Sequence, residues 1–316
     1  MSSLLEKLVP GFTYHIVPAV AKNKADIVDL LAPIIDDPDW GAVQVPPLLD
    51  ADTATGLGHA LQVGGMLAVY GVGQSLARQD LDLHALDETV RQASVEKTKE
   101  YIDEAYRIGA RIMDLNPGKD PGPEHRPQAR LAAIESLTRL CEYAQEKATD
   151  YVLPLSMENF DRDVDKKFYL GPTSETIDVV REVRERVPNM GITPDVAHLL
   201  IMGEDPYESV VAAGDLIFHA HLANYIIKDR EDPRWGDNHP PFWVDGSEVW
   251  AKQLARYLAG LREIGYFDSG VDEFRKRIVT FEIRPGKNEP TPTVMAGSMR
   301  VLKKAAVLAD AQSSGA

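Results

Sequence analysis

The chain of 316 residues has almost no cysteine, no long apolar run and no basic tract. A single thiol, Cys141, rules out an intrachain disulfide and a zinc site built from several thiolates. It falls in a stretch of helical pattern, LTRLCEYAQEK, where the expected role is a small buried hydrophobe. No apolar run approaches the roughly 20 residues that a bilayer-spanning helix needs, so no membrane contact is expected. The first residues, MSSLLEKLVPGF, have no basic segment followed by an apolar core. No secretory signal is expected, and a cytoplasmic location is. Acidic side chains number 49 against 34 basic ones, a formal net charge of −15. Binders of nucleic acid present a basic face, so no such partner is expected. A neutral or cationic small molecule suits this balance better.

Hydrophobic residues make up 44% of the chain and charged residues 26%, enough for a large packed core. Short apolar runs alternate with longer amphipathic stretches, the pattern of βαβ units around a parallel sheet. Strands are expected at 12–17, 42–45, 66–72, 111–115, 152–158, 191–196, 216–221 and 279–283. Helices are expected at 24–35, 86–108, 130–147, 174–186, 206–213, 247–264 and about 293–308. The Gly-rich segment DADTATGLGHALQVGG is a weaker helix between strands two and three. Thr173 or Ser174 reads as the cap of an acidic first turn, and Asp205-Pro206 places proline at a first helical position. Eight strands alternating with helices fit a closed barrel or an open doubly wound sheet. No G-x-G-x-x-G follows the first strand, which removes the main support for a dinucleotide fold. The expected fold is a single-domain (β/α)8 TIM barrel over residues 1–316, with one long polar insertion at about 228–246 acting as a loop or lid.

In a parallel barrel the active site forms at the C-terminal ends of the strands. Four expected strands end in polar groups: VLPLSME in Glu158, GITPDV in Asp195, DLIFHAH in His219 and His221, and IVTFEI in Glu282. Alternation sends His219 and His221 to one face. Carboxylates and imidazole converging on one rim repel or strand one another unless a positive centre joins them. A divalent metal supplies that centre; the mixed O/N donor set suits manganese, magnesium, cobalt, iron or zinc without choosing among them, and manganese is the expected ion. Taken singly, Glu158 could instead cap the following loop, and Asp195 with His198 could cap the turn after strand six.

The segments SMENFDRD (156–163), TPDVAH (193–198), HAHLAN (219–224) and FEIRP (281–285) resemble the xylose-isomerase-like barrel superfamily, which includes ketose 3-epimerases, inosose-handling enzymes and apurinic-site endonucleases. The resemblance implies a metal tetrad of Glu158, Asp195, His221 and Glu282, and a substrate contact by His198. Two departures stand out. The arginine that ketose epimerases carry soon after the strand-seven histidine is replaced here by NYIIKD, and strand two ends in Gln44–Pro47 without an acid. Asp237 and His239 in the insertion resemble the extra zinc ligands of the endonuclease branch, and the acidic balance favours reading them as substrate contacts. Further substrate-binding candidates are His15, Lys119 and Arg284. Trp235, Phe242 and Trp243 either cover a sugar ring or pack the insertion down.

The implied activity is proton abstraction next to a sugar carbonyl through an enediolate, as in an isomerase or epimerase. Glu158 and Glu282 serve as base and acid, and His198 donates to the oxygen that gains charge. The alternative is a β-eliminating lyase on 3-keto-glycosides, or the catalytic subunit of a C-glycoside deglycosidase with a small partner chain. A metal-dependent phosphodiesterase and a non-catalytic barrel rank lower. A small-molecule sugar or glycoside is the expected partner, and a homo-oligomer is compatible with it.

Overall fold

The computed structural model describes residues 4–48, 50–268, 274 and 276–313. Eight strands, β1 (Val9–Thr13), β2 (Ala42–Val45), β3 (Leu67–Gly71), β4 (Ile112–Leu115), β5 (Leu155–Glu158), β6 (Met190–Thr193), β7 (Ala220–Ala223) and β8 (Ile278–Glu282), form one sheet. Its order is β6-β5-β4-β3-β2-β1-β8-β7, and every ladder is parallel. The ends of that order meet through two bridges, Ile192 with Ile217 and Asp195 with His221. The amide of Phe218 donates to Ile192 O at 3.1 Å and that of His221 to Pro194 O at 3.0 Å. Pro194 has no N–H to give, so a regular ladder stops there and the barrel is nearly rather than fully closed. This is a single-domain (β/α)8 barrel, and its strands are buried on both faces as parallel strands under helices must be.

The helices between the strands are α1 (Ile27–Ile35), α2 (Ala51–Val63), α3 (Glu88–Ile108), α4 (Arg126–Lys147), α5 (Thr173–Arg184), α6 (Val196–Ile201), α7 (Pro206–Ala213), α8 (Ala251–Glu263) and α9 (Thr291–Ser313). Local chemistry sets their starts. Asp87 accepts from Thr89 N at 2.8 Å to begin α3, and Gly109 ends it in the left-handed region at φ 79. Asp205 accepts from Tyr207 N and Glu208 N, with Pro206 in the first turn of α7. The Gly-rich α2 is present and capped by Asp50. Its glycines have different reasons. A Cβ on Gly58 would lie 2.7 Å from Ile108 O, so α2 and the end of α3 approach at bare backbone. Gly56 faces open space.

Several boundaries differ from expectation. β1 starts earlier, at Val9, because Pro10 needs only its carbonyl, which accepts from Gly41 N at 2.9 Å. Residues 14–16 leave the sheet as a 3-10 turn, so His15 rides on that turn and not on a strand. β7 begins at Ala220 because Gly214–Leu216 forms a turn after α7. Neither Thr173 nor Ser174 caps α5: Pro172 holds the cap position, and the Thr173 amide and hydroxyl donate to Glu204. The short helix α6 is an addition to the expected set.

Cys141 is fully buried, in keeping with its place in the helical pattern. Among the described residues no helix is long and apolar enough to cross a membrane. Replacing Gly56 by alanine should raise stability by about 0.5–1 kcal/mol through the helix-propensity difference. Gly58→Ala should lower it by about 1–3 kcal/mol through overpacking against Ile108. Urea unfolding of both variants checks this, and equal shifts would refute the close approach.

Candidate metal centre and its cavity

Glu158 and Glu282 at the C-terminal ends of β5 and β8, Asp195 just beyond β6 and His221 within β7 come together. One donor atom from each lies within 4.8 Å of all the others. Each side chain arrives for a local reason. Glu158 and Glu282 are the last residues of their strands. Asp195 caps α6: one carboxylate oxygen accepts from Ala197 N at 2.6 Å, which aims the other inward. That second oxygen, Oδ2, is buried without a hydrogen-bond partner and lies 3.9 Å from His221 Nδ1. His221 Nδ1 is 3.0 Å from Glu158 Oε1 and 3.5 Å from Glu282 Oε2.

The other ring nitrogen of His221 faces Gln44 Oε1 at 2.8 Å. An amide oxygen can only accept, so Nε2–H donates and Nδ1 is left to face the acids. This orienting hydrogen bond is the kind that fixes a metal-ligating imidazole. It comes from the strand that lacks the expected acid. Beneath the cluster runs a buried polar layer. Ser156 Oγ and Thr193 Oγ1 are 2.6 Å apart, and Thr193 Oγ1 donates to Asp114 Oδ1 at 2.8 Å. Asp114 Oδ2 accepts from His219 Nδ1 at 2.8 Å, and His219 Nε2 lies 2.7 Å from Thr280 Oγ1. His219 therefore supports the layer and is no part of the four-residue cluster. Sequence reasoning misses the supporting roles of Asp114, Gln44 and Asn224. The one signal for Asp114 is a lone acid inside the apolar strand IMDL.

A donor set of three carboxylates and one imidazole nitrogen, with one carboxylate oxygen unpaired, fits a divalent cation. Burial raises the Glu158 carboxyl to about 7, and although His221 pulls it down, Glu282 pushes it further up. Burial also opposes ionisation of Glu282, but His239, His15 and Arg284 outweigh it and hold that carboxyl well below the usual range. Burial disfavours a charged His221, yet Glu158 and Asp114 prevail and draw a proton to it. Each shift expresses one demand, positive charge at the centre of the acids.

The insertion after β7 delivers a second group. Asn224 Oδ1 accepts from Glu248 N and Val249 N, and Glu248 Oε1 accepts from Ile227 N and Lys228 N. These bonds pinch the base of the insertion. Gly236, at φ 100, turns the chain where a Cβ would lie 2.7 Å from the Asp165 carboxylate. Asp237 and His239 follow, and His239 itself has φ 50. Trp235, Phe242 and Trp243 pack the insertion down. Phe242 meets Phe281 edge-on at 5.7 Å, Trp235 Nε1 donates to Ile227 O, and Trp243 Nε1 donates to Gly297 O.

A cavity of about 250 Å³ opens over the cluster, with His15, Gln44, Glu158, Asp237, His239, Glu282 and Arg284 in its wall. This is near the small end of ligand cavities and fits one monosaccharide-sized molecule. His15 Nδ1 lies 3.3 Å from Glu282 Oε1, and Arg284 Nη2 donates to the same oxygen at 3.2 Å. Two expected contacts are placed elsewhere. His198 is fully buried behind the wall, with Nδ1 donating to Asn159 O at 2.8 Å and Nε2 to Asp237 Oδ2 at 3.0 Å. Burial opposes its cation, but Asp237, Asp195 and Glu158 push it up to about 10. Lys119 lies outside the wall, because a bridge between Lys119 and Phe168 turns its ammonium to Lys166 O. A donor atom from each of Asp195, His198 and His239 also lies within 4.8 Å of the others, and Asp237 Oδ1 is buried without a hydrogen-bond partner, 3.5 Å from His239 Nδ1.

The chain belongs to the xylose isomerase-like TIM barrel family, whose sequence pattern matches residues 23–305. Among curated proteins it is 25% identical over 193 residues to an uncharacterised protein of Methanocaldococcus jannaschii, covering 59% of this chain and 58% of that relative's length. Among solved structures, an L-ribulose 3-epimerase superposes with TM-score 0.71 at 14% identity over 95% of both chains. An IolI protein with bound zinc superposes with TM-score 0.68 at 14% identity, over 95% of this chain and 99% of that one. At such identity these likenesses establish the fold.

Replacing Gln44 by leucine should weaken divalent-metal affinity by about 10–100-fold, because His221 Nε2–H loses its close acceptor. Competition against a chromogenic chelator measures this. Unchanged affinity would show that the hydrogen bond does not orient the imidazole.

Proposed function

We propose that the protein is a divalent-metal-dependent sugar isomerase or epimerase that moves a proton at the carbon beside a carbonyl. The observation that carries this reading is the four-residue donor cluster at the floor of a monosaccharide-sized cavity, with Asp195 Oδ2 lacking any other partner. The ribulose epimerase and zinc-bound IolI neighbours support it by analogy of fold. Glu158, Asp195, His221 and Glu282 would hold the cation, which when bound supplies a Lewis acid for a carbonyl and its neighbouring hydroxyl.

The chain's own groups divide the remaining work. Glu158 and Glu282 reach the cavity from β5 and β8, three strands apart round the rim, so two carboxylates face a ligand from different sides. One takes the proton and the other returns it, and returning it to the opposite face inverts the carbon. His15 and Arg284 keep Glu282 ionised and in place. His239 stands at the wall as a hydrogen-bonding group for a substrate hydroxyl. His198 acts through Asp237, tying that carboxylate of the insertion to α6 rather than touching ligand.

Elemental analysis of protein purified without added metal should find about one divalent equivalent per chain, lost in Asp195→Ala. Absence of metal, with no uptake from manganese or cobalt, would remove this mechanism. Glu158→Gln and Glu282→Gln should each lower kcat on a responsive ketose by about 10²–10⁴-fold with circular dichroism unchanged. Full turnover in both would end the two-carboxylate assignment.

The Asp195, His198 and His239 group favours a second reading in which Asp237 and His239 hold another cation. Metal stoichiometry separates the two. His239→Ala should raise KM and leave one equivalent bound, whereas loss of a second equivalent would make His239 a ligand.

A further inference from the structure

We infer that the substrate of the proposed reaction carries an anionic group, a phosphate or a carboxylate, which Arg78 and Lys24 hold at the cavity mouth. This rests on the isomerase reading for the other end of the molecule, and it concerns residues outside the cluster and its supports.

The cavity wall is divided by charge. Its acids, Glu158, Asp237 and Glu282, are all buried at the floor. Four cations also line it: Lys24, Arg78, Lys166 and Arg284. Two of these are already neutralised. Lys166 Nζ lies 2.9 Å from Asp165 Oδ2 and 3.6 Å from Asp237 Oδ2, and it donates to Asp237 O. Arg284 donates to Glu282. The other two are not. Among the described residues Lys24 Nζ has one hydrogen-bond acceptor, the carbonyl of Pro47, and no ion-pair partner. Arg78, exposed on the 3-10 turn Ala77–Gln79, has no hydrogen-bond or ion-pair partner among the described residues.

These two cations line the same cavity as the hydroxyl-bearing side chains of Tyr14 and Ser75. Burial disfavours the Lys24 ammonium most, and Arg78, the smallest of the three influences on it, adds to that. Glu104 offsets part of that, but its carboxylate already accepts from Leu48 N at 2.6 Å and from the Tyr70 hydroxyl at 2.9 Å. Two like charges facing one cavity repel until an anion joins them. A guanidinium beside an ammonium is the donor pair that phosphate and carboxylate groups use.

The net charge of −15 favours a neutral or cationic ligand on composition alone. The local field at the mouth has the opposite sign. A chain that repels anions at long range needs such local cations to admit one. The missing arginine after β7 fits the same picture, since the hold on the far end of the ligand moves to the loops after β1 and β3. With about 250 Å³ available, the keto end lies over the acids and the anionic end toward Arg78 and Lys24.

The test titrates D-fructose, D-fructose 6-phosphate and D-fructuronate into the metal-loaded protein by calorimetry, and repeats this with Arg78→Ala and Lys24→Met. One charged ketose should bind at least about tenfold more tightly than fructose, and each variant should shrink that gap to about threefold or less. Preference for the phosphate or for the carboxylate identifies the anion. Equal binding of all three sugars, no binding by either charged sugar, or a gap that survives both variants would overturn the proposal. Failure of the metal reading looks different: chelation would leave all affinities unchanged while the Arg78-dependent gap remained.

Discussion

Three buried carboxylates and one imidazole share a space less than 5 Å across at the end of the barrel, and most of the surrounding structure is arranged around that crowding. Carboxylates in a low-dielectric interior are costly, and like charges at this spacing raise the cost further. The structure meets this cost locally wherever it can. Ala197 N satisfies one oxygen of Asp195, Gln44 orients His221, and His15 and Arg284 flank Glu282. What they leave over is a concentrated negative potential at the cavity floor, which is the property a divalent cation answers. The polar layer of Ser156, Thr193, Asp114, His219 and Thr280 lies beneath it, with Asp114 Oδ2 3.5 Å from His221 Nε2.

The loops turn this centre into a cavity with direction. The insertion after β7 is tied at its base by Asn224 and Glu248, and it carries Asp237 and His239 into the wall. Asp161 does the same for the loop after β5, accepting from Val164, Asp165 and Lys166 amides and thereby setting Lys166 beside Asp237. Buried acids at the floor and two cations without an ion-pair partner among the described residues give the cavity a charge separation that the net charge of the molecule does not reveal.

A (β/α)8 barrel supports many chemistries, and membership of the xylose isomerase-like family does not choose among them. The choice is made by the loops. The four-residue cluster sits on strand ends, where the fold alone dictates convergence, while Asp237, His239, Arg78 and Lys24 sit on connections free to vary.

Much of the architecture is legible in the order of residues. The alternation of apolar runs and amphipathic stretches marks eight strands and the barrel, because burial on both faces leaves continuous apolar segments. Glu158, Asp195, His221 and Glu282 are legible as polar groups ending such segments. Long-range relations are not. Gln44 faces His221 across 177 residues of chain, and Asp114 reaches Thr193 across 79. No local pattern encodes those pairings, since they depend on barrel stagger and strand neighbours. His198 has the sequence of a ligand contact, yet α6 turns it behind Asp237, and Lys119 is drawn off by its bridge to Phe168. Composition likewise yields a sum of charges but not their positions. The sequence by itself determined the fold class and the chemical identity of the cluster, because periodicity and strand-end polarity are local properties. Only the tertiary structure decided which groups face the cavity and which support it, because closing the barrel sets distances that the order of residues does not contain.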